Sequence, residues 1–324
     1  MNTHSGRFRR RLLGVVVGFG LLTAACGSDD SAGGTSDAPT PEASAGDDSS
    51  APTSPSIAES TVPAGDDDLR VVSLSPTHTE MLFAIGAGDQ LVAVDEFSDY
   101  PAEARALPND LSAFDNNVEA IAAYEPDLVL IGGDFNGLGP QLDTLGIGWW
   151  DGPAAATIDD AYRQIVELGD ATGREAEAAA LVATMQADID DIVAATPVPD
   201  EPLTIFHELD ETLFSIDSTT LFGELYSLLG LRNIADSVEG DSGGYPELSA
   251  EFVVSADPDI IFLADTKCCG QSLETVAARP GWADLTAVQT SNVVELDDDV
   301  ASRWGPRIVE FLQSASDAVT AATG

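Results

Sequence analysis

The sequence predicts an α/β protein with two α/β lobes, a single long helix that bridges them, and a ligand cleft between the lobes. Three observations support this fold class. Apolar β-rich runs alternate with helical segments, which is typical of α/β layers. One helix-turn-strand pattern occurs twice. An Ala- and Glu-rich helical segment separates the two copies.

The first lobe begins with a short apolar run, residues 71–74, which reads as a buried strand. Ser75 and Pro76 follow and mark the start of a helix, and Gly86 and Gly88 mark its end. A second apolar run, over residues 127–131, is closed by two glycines. This order of elements is that of a parallel α/β layer.

The repeated pattern joins a helix, a Pro-Asp turn and a strand. Residues 119–127 (EAIAAYEPD) match residues 251–259 (EFVVSADPD), and upstream residues 80–86 (EMLFAIG) match residues 224–230 (ELYSLLG). Two related halves explain the spacing most economically. A chance match between common helix-turn-strand units is the alternative.

Between the copies, residues 174–195 carry apolar residues spaced for one buried helical stripe. A helix of this length spans roughly 33 Å, enough to cross between two lobes. The crevice at the carboxyl ends of the strands is then the expected ligand site. The predicted boundaries are a lipoprotein signal peptide over 1–26, a disordered tether over 27–68, an N-terminal lobe over 69–157, a helical connector over 158–197 and a C-terminal lobe over 198–324.

The N-terminus has the pattern of an export signal. Four arginines between positions 7 and 11 precede an apolar run over residues 12–22, which is shorter than the roughly 20 residues of a membrane span. Small residues then lead to Cys26, as in the bacterial lipoprotein cleavage box, so we expect Cys26 to be acylated and to anchor the protein to the outer face of the cell membrane. An ordinary signal peptide with an incidental cysteine is the alternative. Residues 27–68 lack the apolar content for a core and predict a disordered tether.

The formal net charge of −43 argues against nucleic acid and anionic lipid as partners. We interpret it as a solubility adaptation to a salty habitat, with an acidic functional face as the alternative. Cys268 and Cys269 are adjacent, and predict either a vicinal disulfide or two thiols. They lack the partners of a zinc site, and we expect neither a bound metal nor a cofactor.

Five segments in order resemble the cobalamin and iron-complex binding proteins of ABC importers. They are residues 70–80 (RVVSLSPTHTE), 98–101 (SDYP), 118–121 (VEAI), 126–131 (PDLVLI) and 279–282 (RPGW). The resemblance covers residues 69–324 and implies the class III solute-binding protein fold, two lobes bridged by one helix. The SDYP segment and residues 303–307 (RWGPR) resemble the cobalamin branch most closely.

The resemblance implies a set of ligand-binding residues. Tyr100, Phe114, Tyr245 and Asp299 fall where the cobalamin branch borders its corrin ring, although Phe114 and Tyr245 stand where the cobalamin binder has tryptophans. Aromatic rings of either kind can cover a flat macrocycle. Cobalamin is therefore the expected ligand, and haem or a ferric siderophore remains the alternative.

Further candidates come from the strand ends. His78 and His207 follow or end the first strand of a lobe, so both are expected to face the cleft, and Thr77 beside His78 is also expected to bind the ligand. A histidine there is a usable ligand for cobalt or iron, or simply a hydrogen-bonding residue. Arg303, and with it Arg307, is expected to receive an anionic group of the ligand, or to pair with one of the many carboxylates.

Glu119 and Glu251 occupy equivalent places in the two repeats. The resemblance implies that they dock onto arginines of the importer's permease, one glutamate from each lobe. Such exposed ion pairs set orientation and encounter rate. The alternative is that each glutamate only stabilises its helix N-terminus.

These observations favour a monomeric binding protein over an enzyme. The sequence lacks a His-Glu-x-x-His zinc motif and a Gly-rich phosphate loop. A lipid-anchored sensor or adhesin that uses the same module without transport is a third class. Importer permease and ATPase genes beside this one would distinguish transport from sensing.

Overall fold

Two four-stranded parallel sheets organise the part of the chain that the computed structural model describes, residues 69–115, 117–240 and 242–324. The predicted signal peptide, Cys26 and the tether lie outside the described residues. The prediction of a two-lobed α/β protein is confirmed, because each sheet forms the centre of one lobe.

The first sheet has the strand order β2-β1-β3-β4, with all neighbours parallel. Ser75 caps the first helix, and Pro76 occupies its first turn, as the sequence predicts. The elements of this lobe are β1 (Val71–Leu74), α1 (Pro76–Ala84), β2 (Leu91–Val94), α2 (Val118–Ala122), β3 (Leu128–Ile131), α3 (Gly139–Leu145) and β4 (Gly148–Asp151).

Two helices, α4 (Ile158–Thr172) and α5 (Glu175–Ala195), follow the first sheet. A capping box formed by Thr157 and Asp160 starts α4, and Gly173, with φ of +68°, ends it in the left-handed conformation. Helix α5 begins one residue later than the helix that the apolar spacing predicts. It packs against α4 and against the last helix of the chain.

The second sheet has the order β6-β5-β7-β8, again with parallel neighbours. Short helices that follow β7 and β8 contact each other at one edge of the sheet, where the Asp298 carboxylate accepts a bond from the Thr266 N–H at 2.8 Å. The elements are β5 (Thr204–Glu208), α6 (Leu221–Leu228), β6 (Arg232–Asn233), α7 (Ala250–Ala256), β7 (Ile260–Leu263), α8 (Thr266–Cys269), α9 (Leu273–Ala277), α10 (Thr286–Gln289), β8 (Val293–Glu295), α11 (Asp298–Ser302) and α12 (Ile308–Thr323).

The sequence repeat corresponds to equivalent elements in the two lobes. The first copy forms α2 and β3, and the second forms α7 and β7, each at the same place in its sheet order. The aspartate of each Pro-Asp turn makes the equivalent hydrogen bond in its lobe. Asp127 accepts a hydrogen bond from the backbone N–H of Arg70 at 3.0 Å, and Asp259 accepts one from Thr204 at 2.8 Å. Each aspartate thus fixes the neighbouring strand.

One hydrophobic core cluster runs through both lobes. It contains buried residues of both sheets, such as Val71 and Ile205, together with Ile165 of α4, Met185 of α5 and Phe311 of α12. A separate cluster covers the outer face of each sheet. Because protein cores are close-packed, a core shared in this way restricts independent motion of the lobes. None of the described helices combines the length and apolar content that crossing a bilayer requires.

Candidate functional site

A cavity of about 670 Å³ opens at the carboxyl ends of strands β1 and β3. Its size lies within the range of about 300–1,000 Å³ that is typical of small-molecule sites. The second lobe contributes one wall through α11 and the segment after it. The lining consists of Leu74–Thr77, Asp95, Phe97, Ala113, Phe114, Ile131–Asn136, Leu138, Asp299 and Ser302–Trp304.

Three exposed phenylalanines surround this cavity. Phe97 is 50% exposed, Phe114 79% and Phe135 85%. Gly133, with φ of +107°, allows the Phe135 ring to lie against the backbone, because a Cβ at that position would overlap the ring. Clustered exposed apolar rings of this kind mark a ligand or partner site. The sequence analysis predicts Phe114 as a site residue but not Phe97 or Phe135. Each of these two is an aromatic residue in a polar loop that follows a strand, and this pattern could have identified them.

The N-terminus of helix α1 forms part of the cavity floor. Thr77 lines the cavity and is buried, and the Ser75 side chain caps the helix by accepting a bond from the His78 N–H. Asp95 also lines the cavity. Burial raises the pKa of Asp95 to about 6, against an opposing hydrogen bond from Ser98.

Arg303 stands on the opposite wall, where its guanidinium is held by acidic groups of both lobes. It donates to Glu80 at 2.8 Å, Asp99 at 3.0 Å, Asp299 at 2.8 Å and the Phe97 carbonyl at 3.1 Å. Burial alone would lower the pKa of Arg303, but these carboxylates outweigh it and raise the pKa above the usual value of arginine. Both terminal nitrogens of Arg303 are therefore engaged within the protein.

Tyr100 lies behind this ion cluster, in a second cavity of about 380 Å³ that several charged residues line. The Arg307 guanidinium lies 4.3 Å from the centroid of its ring, within cation–π distance. Asp299 lines both cavities. The structure thus brings together Thr77, Phe114, Asp299 and Arg303, with Tyr100 on the far side of Arg303.

His78 and His207 are completely buried, and neither is among the residues that line the cavity, although the His78 ring lies 6.0 Å from that of Trp304, which does line it. His78 contacts Gln164 through Nε2 at 3.2 Å, and its ring centroid lies 4.9 Å from that of Trp150. His207 contacts the Tyr226 hydroxyl through Nδ1 at 2.9 Å. Burial lowers the pKa of His78 to about 4 and that of His207 to about 3, so both are neutral at pH 7.

Tyr245 belongs to a loop of the second lobe and is 49% exposed. Burial of the other half of its side chain raises its pKa, and the charge of Asp217 adds to this effect. The loop is held by backbone bonds from Tyr245 to Ser242 and from Asp217 to Gly244. The structure does not bring Tyr245 into the lining of the cavity.

Glu119 and Glu251 are exposed, each in the first turn of a short helix at the same place in its lobe. Asn117 and Ser249 cap these two helices. Both carboxylates are therefore accessible on the surface of their lobes.

The adjacent cysteines form a disulfide in helix α8, at the carboxyl end of β7. The Asp298 carboxylate accepts bonds from the backbone N–H groups of Thr266, Lys267 and Cys268, which fixes the start of that helix. Among the described residues, no group of three or more His, Cys, Asp or Glu side chains is arranged to hold a metal ion.

Known proteins with similar sequences support the two-lobed fold described above. Residues 71–300 match the family model described as periplasmic binding protein. An uncharacterised ABC transporter substrate-binding lipoprotein of Bacillus subtilis, YvrC, is 29% identical over 77% of this chain and 79% of its own. The vitamin B12-binding protein of Pectobacterium atrosepticum is 31% identical over 74% of this chain and 84% of its own.

Among solved structures, the periplasmic vitamin B12 binding protein BtuF of Vibrio cholerae is similar, with a TM-score of 0.64 and 28% identity. The alignment covers 81% of this chain and 98% of that one. The two-lobed fold and the expected family resemblance are thereby confirmed. The chain belongs to the periplasmic binding protein family.

Proposed function

We propose that this chain is the lipid-anchored substrate-binding protein of an ABC importer, and that it captures cobalamin outside the cell membrane and delivers it to the permease. The family match and the similarity to vitamin B12-binding proteins support this role. The charge and the aromatic lining of the cavity support cobalamin over the other ligands of the family.

The observation that carries the choice of ligand is the charge of the cavity lining. Asp95, Asp134 and Asp299 line the cavity, and Arg303 is the one cation among its described lining residues. Because the terminal nitrogens of Arg303 are already engaged, the cavity offers acceptors rather than free positive charge. Carboxylates suit the amide side chains of cobalamin, whereas the propionates of haem would face repulsion.

Two further features support cobalamin. The rings of Phe97, Phe114 and Phe135 offer apolar surface to a flat macrocycle. Cobalamin also carries its cobalt fully chelated, so it needs no protein ligand. Haem or an open iron complex held by His78 or His207 would require these buried side chains to leave the core.

The lipid anchor is part of the proposal. It is supported by the lipoprotein cleavage box that ends at Cys26 and by the similarity to a substrate-binding lipoprotein. Delivery to a permease is supported by Glu119 and Glu251, exposed in equivalent places on the two lobes. We propose that the mature protein acts as a monomer without chemistry of its own.

The test is a calorimetric titration of the purified full chain, in detergent, with cyanocobalamin, haemin and ferric siderophores of anionic and neutral charge. We expect cyanocobalamin, and none of the other ligands, to bind with a sub-micromolar Kd, which is a binding free energy of about −8 kcal/mol or more negative. Selective binding of haemin or of a ferric siderophore would overturn the cobalamin assignment and leave the family membership intact. A ligand-binding sensor without transport would bind cobalamin but fail to support uptake.

A further inference from the structure

Glu80 is a buried glutamate on helix α1, only 3% exposed, and its carboxylate binds two arginines of the other lobe. Oε1 accepts from Arg303 at 2.8 Å and from Arg307 at 2.5 Å, and Oε2 accepts from Nε of Arg307 at 2.8 Å. Both arginines are themselves buried. These bonds join residues more than 220 positions apart in the chain.

Each arginine that Glu80 binds also contacts residues that line one or both of the cavities. Arg303 holds the Phe97 carbonyl and Asp99 on the first lobe and Asp299 on the second. Arg307 lies against the ring of Tyr100. The rim phenylalanine at position 97, the wall at Asp299 and the tyrosine of the second cavity therefore depend on where Glu80 holds the two guanidiniums.

No other described carboxylate can replace Glu80 as the partner of both arginines. A buried charge is tolerated only when it is paired and hydrogen-bonded, and one carboxylate here serves two buried cations. Without the carboxylate, Arg303 keeps Asp99 and Asp299. Arg307 then keeps no hydrogen-bonded carboxylate among the described residues.

The equivalent residue of the second lobe makes a related contact. Glu224 on α6 occupies the position of Glu80 in the sequence repeat, and its carboxylate accepts a bond from the Ile158 N–H at 2.8 Å. That N–H is the first of helix α4, which follows the sheet of the other lobe. In each lobe, the glutamate of the first helix thus fastens an element from outside that lobe.

We propose that Glu80 is a positioning residue that fixes the relative orientation of the two lobes, and with it the shape of the cavity between Phe97 and Arg303. The effect on ligand affinity rests on the proposed function of that cavity. The effect on lobe orientation does not, and the two can be measured separately.

The experiment compares Glu80→Gln with Glu208→Gln in the full chain. Glu208 is a matched control, because it is also completely buried and its carboxylate is bound at both oxygens by one arginine, Arg279, within the second lobe. Hydrogen–deuterium exchange of residues 95–100 and 298–307 reports the interlobe contact without any ligand. Calorimetry with cyanocobalamin reports the cavity.

We expect Glu80→Gln to raise exchange several-fold in both segments and to weaken cyanocobalamin binding about tenfold or more. Glu208→Gln should leave both segments and the affinity near wild type, even though it also removes a buried charge. Unchanged exchange in Glu80→Gln would overturn the proposal, as would raised exchange with unchanged affinity. An equal rise in both variants would also overturn it, since that is general destabilisation.

If the wild-type chain binds no cyanocobalamin, the proposed ligand fails, and exchange alone still decides whether Glu80 fixes the lobes. If Glu80→Gln does not fold, Arg307→Lys provides the second test. Lysine keeps the positive charge but loses the bond from Nε to Glu80. We expect local exchange around residues 95–100 to rise in Arg307→Lys, and its absence would contradict the proposal.

Discussion

The rings of Phe97 and Phe114 lie edge to face at the rim of the cavity, with centroids 6.2 Å apart and an interplanar angle of 79°. They come from two different loops that follow β2. Aromatic pairs of this geometry attract one another and hold a defined shape. The pair therefore forms a preorganised apolar surface at the rim, and Phe135 lines the same cavity.

Replacing Phe114 or Phe135 by alanine should weaken ligand binding without unfolding the protein. Both rings are mostly exposed, so the fold loses little buried area. Burial of each ring under a macrocycle should contribute about 1–2 kcal/mol, roughly a 5- to 30-fold change in Kd. Calorimetric titration with cyanocobalamin measures the change, and thermal denaturation checks the fold.

Phe214→Ala is the matched control for the rim, since Phe214 is an exposed phenylalanine of the second lobe outside the cavity lining. It should leave Kd within about twofold. Tyr245→Ala tests the wider site that the family resemblance implies. A loss of about 1–3 kcal/mol would mean that the ligand extends to the second lobe at Tyr245, and an unchanged Kd would confine it to the rim.

Glu119→Ala combined with Glu251→Ala should separate capture from delivery. Both carboxylates are exposed and lie outside the cavity lining, so ligand affinity should be unchanged. If the protein docks on a permease as proposed, uptake by cells or proteoliposomes that carry the importer should fall, because exposed ion pairs set the orientation of a complex. A fall in affinity would instead assign these residues to the fold or the site.

Cys26→Ala should release the protein from membranes. Without the thiol there is no acylation site, and the mature chain should appear in the soluble extracytoplasmic fraction. Membrane fractionation followed by immunoblotting measures the distribution. Retention of the variant in the membrane would contradict the lipid anchor.

Asp265 should make the protein less stable as the pH rises. Its side chain is completely buried, and its two carboxylate oxygens have no hydrogen-bond partner among the described residues. Burial raises its pKa to about 7, with a further contribution from the charge of Glu208. Because the folded-state pKa is above the unfolded value, its contribution to stability is present below about pH 4 and is lost as the pH rises through 7.

Asp265→Asn removes this titration while keeping the shape of the side chain. The free energy of unfolding of the variant should exceed that of wild type by about 4 kcal/mol at most at pH 8, and by clearly less at pH 5. Urea denaturation at the two pH values measures the difference. An advantage that is equal at pH 5 and pH 8 would show that Asp265 does not titrate in this range.

Local sequence signals predicted part of the fold, namely strands β1, β3 and β7, the helices of the repeat, helix α5 and the order of these elements. Strand β1, the Ser75 cap and the Pro-Asp turns are local signals, and each depends only on neighbouring residues. The repeat predicted two equivalent lobes because related helix-turn-strand segments fold into related elements. The spacing of its apolar residues predicted helix α5, and the buried members of that stripe belong to the core that the two lobes share.

The side-chain orientations at the strand ends were beyond the sequence. His78 follows its strand as the sequence predicts, yet its ring packs against Trp150 and Gln164, because successive residues of a helix point about 100° apart around its axis. Thr77, one position earlier, lines the cavity. One residue of helical rotation therefore decides which of the two lines the cavity.

The long-range contacts of the site could be identified only in the three-dimensional structure. Arg303 looked equally suited to a ligand anion or to a protein carboxylate, and the answer depends on Glu80 and Asp99, which lie more than 200 positions away in the chain. Phe97 and Phe135 sit in polar loops that carry no periodic pattern, so their convergence on one cavity was invisible locally. Local propensity determined the lobes, whereas the site depends on the convergence of loops within the first lobe and on the contact of Arg303 with Glu80 between the lobes.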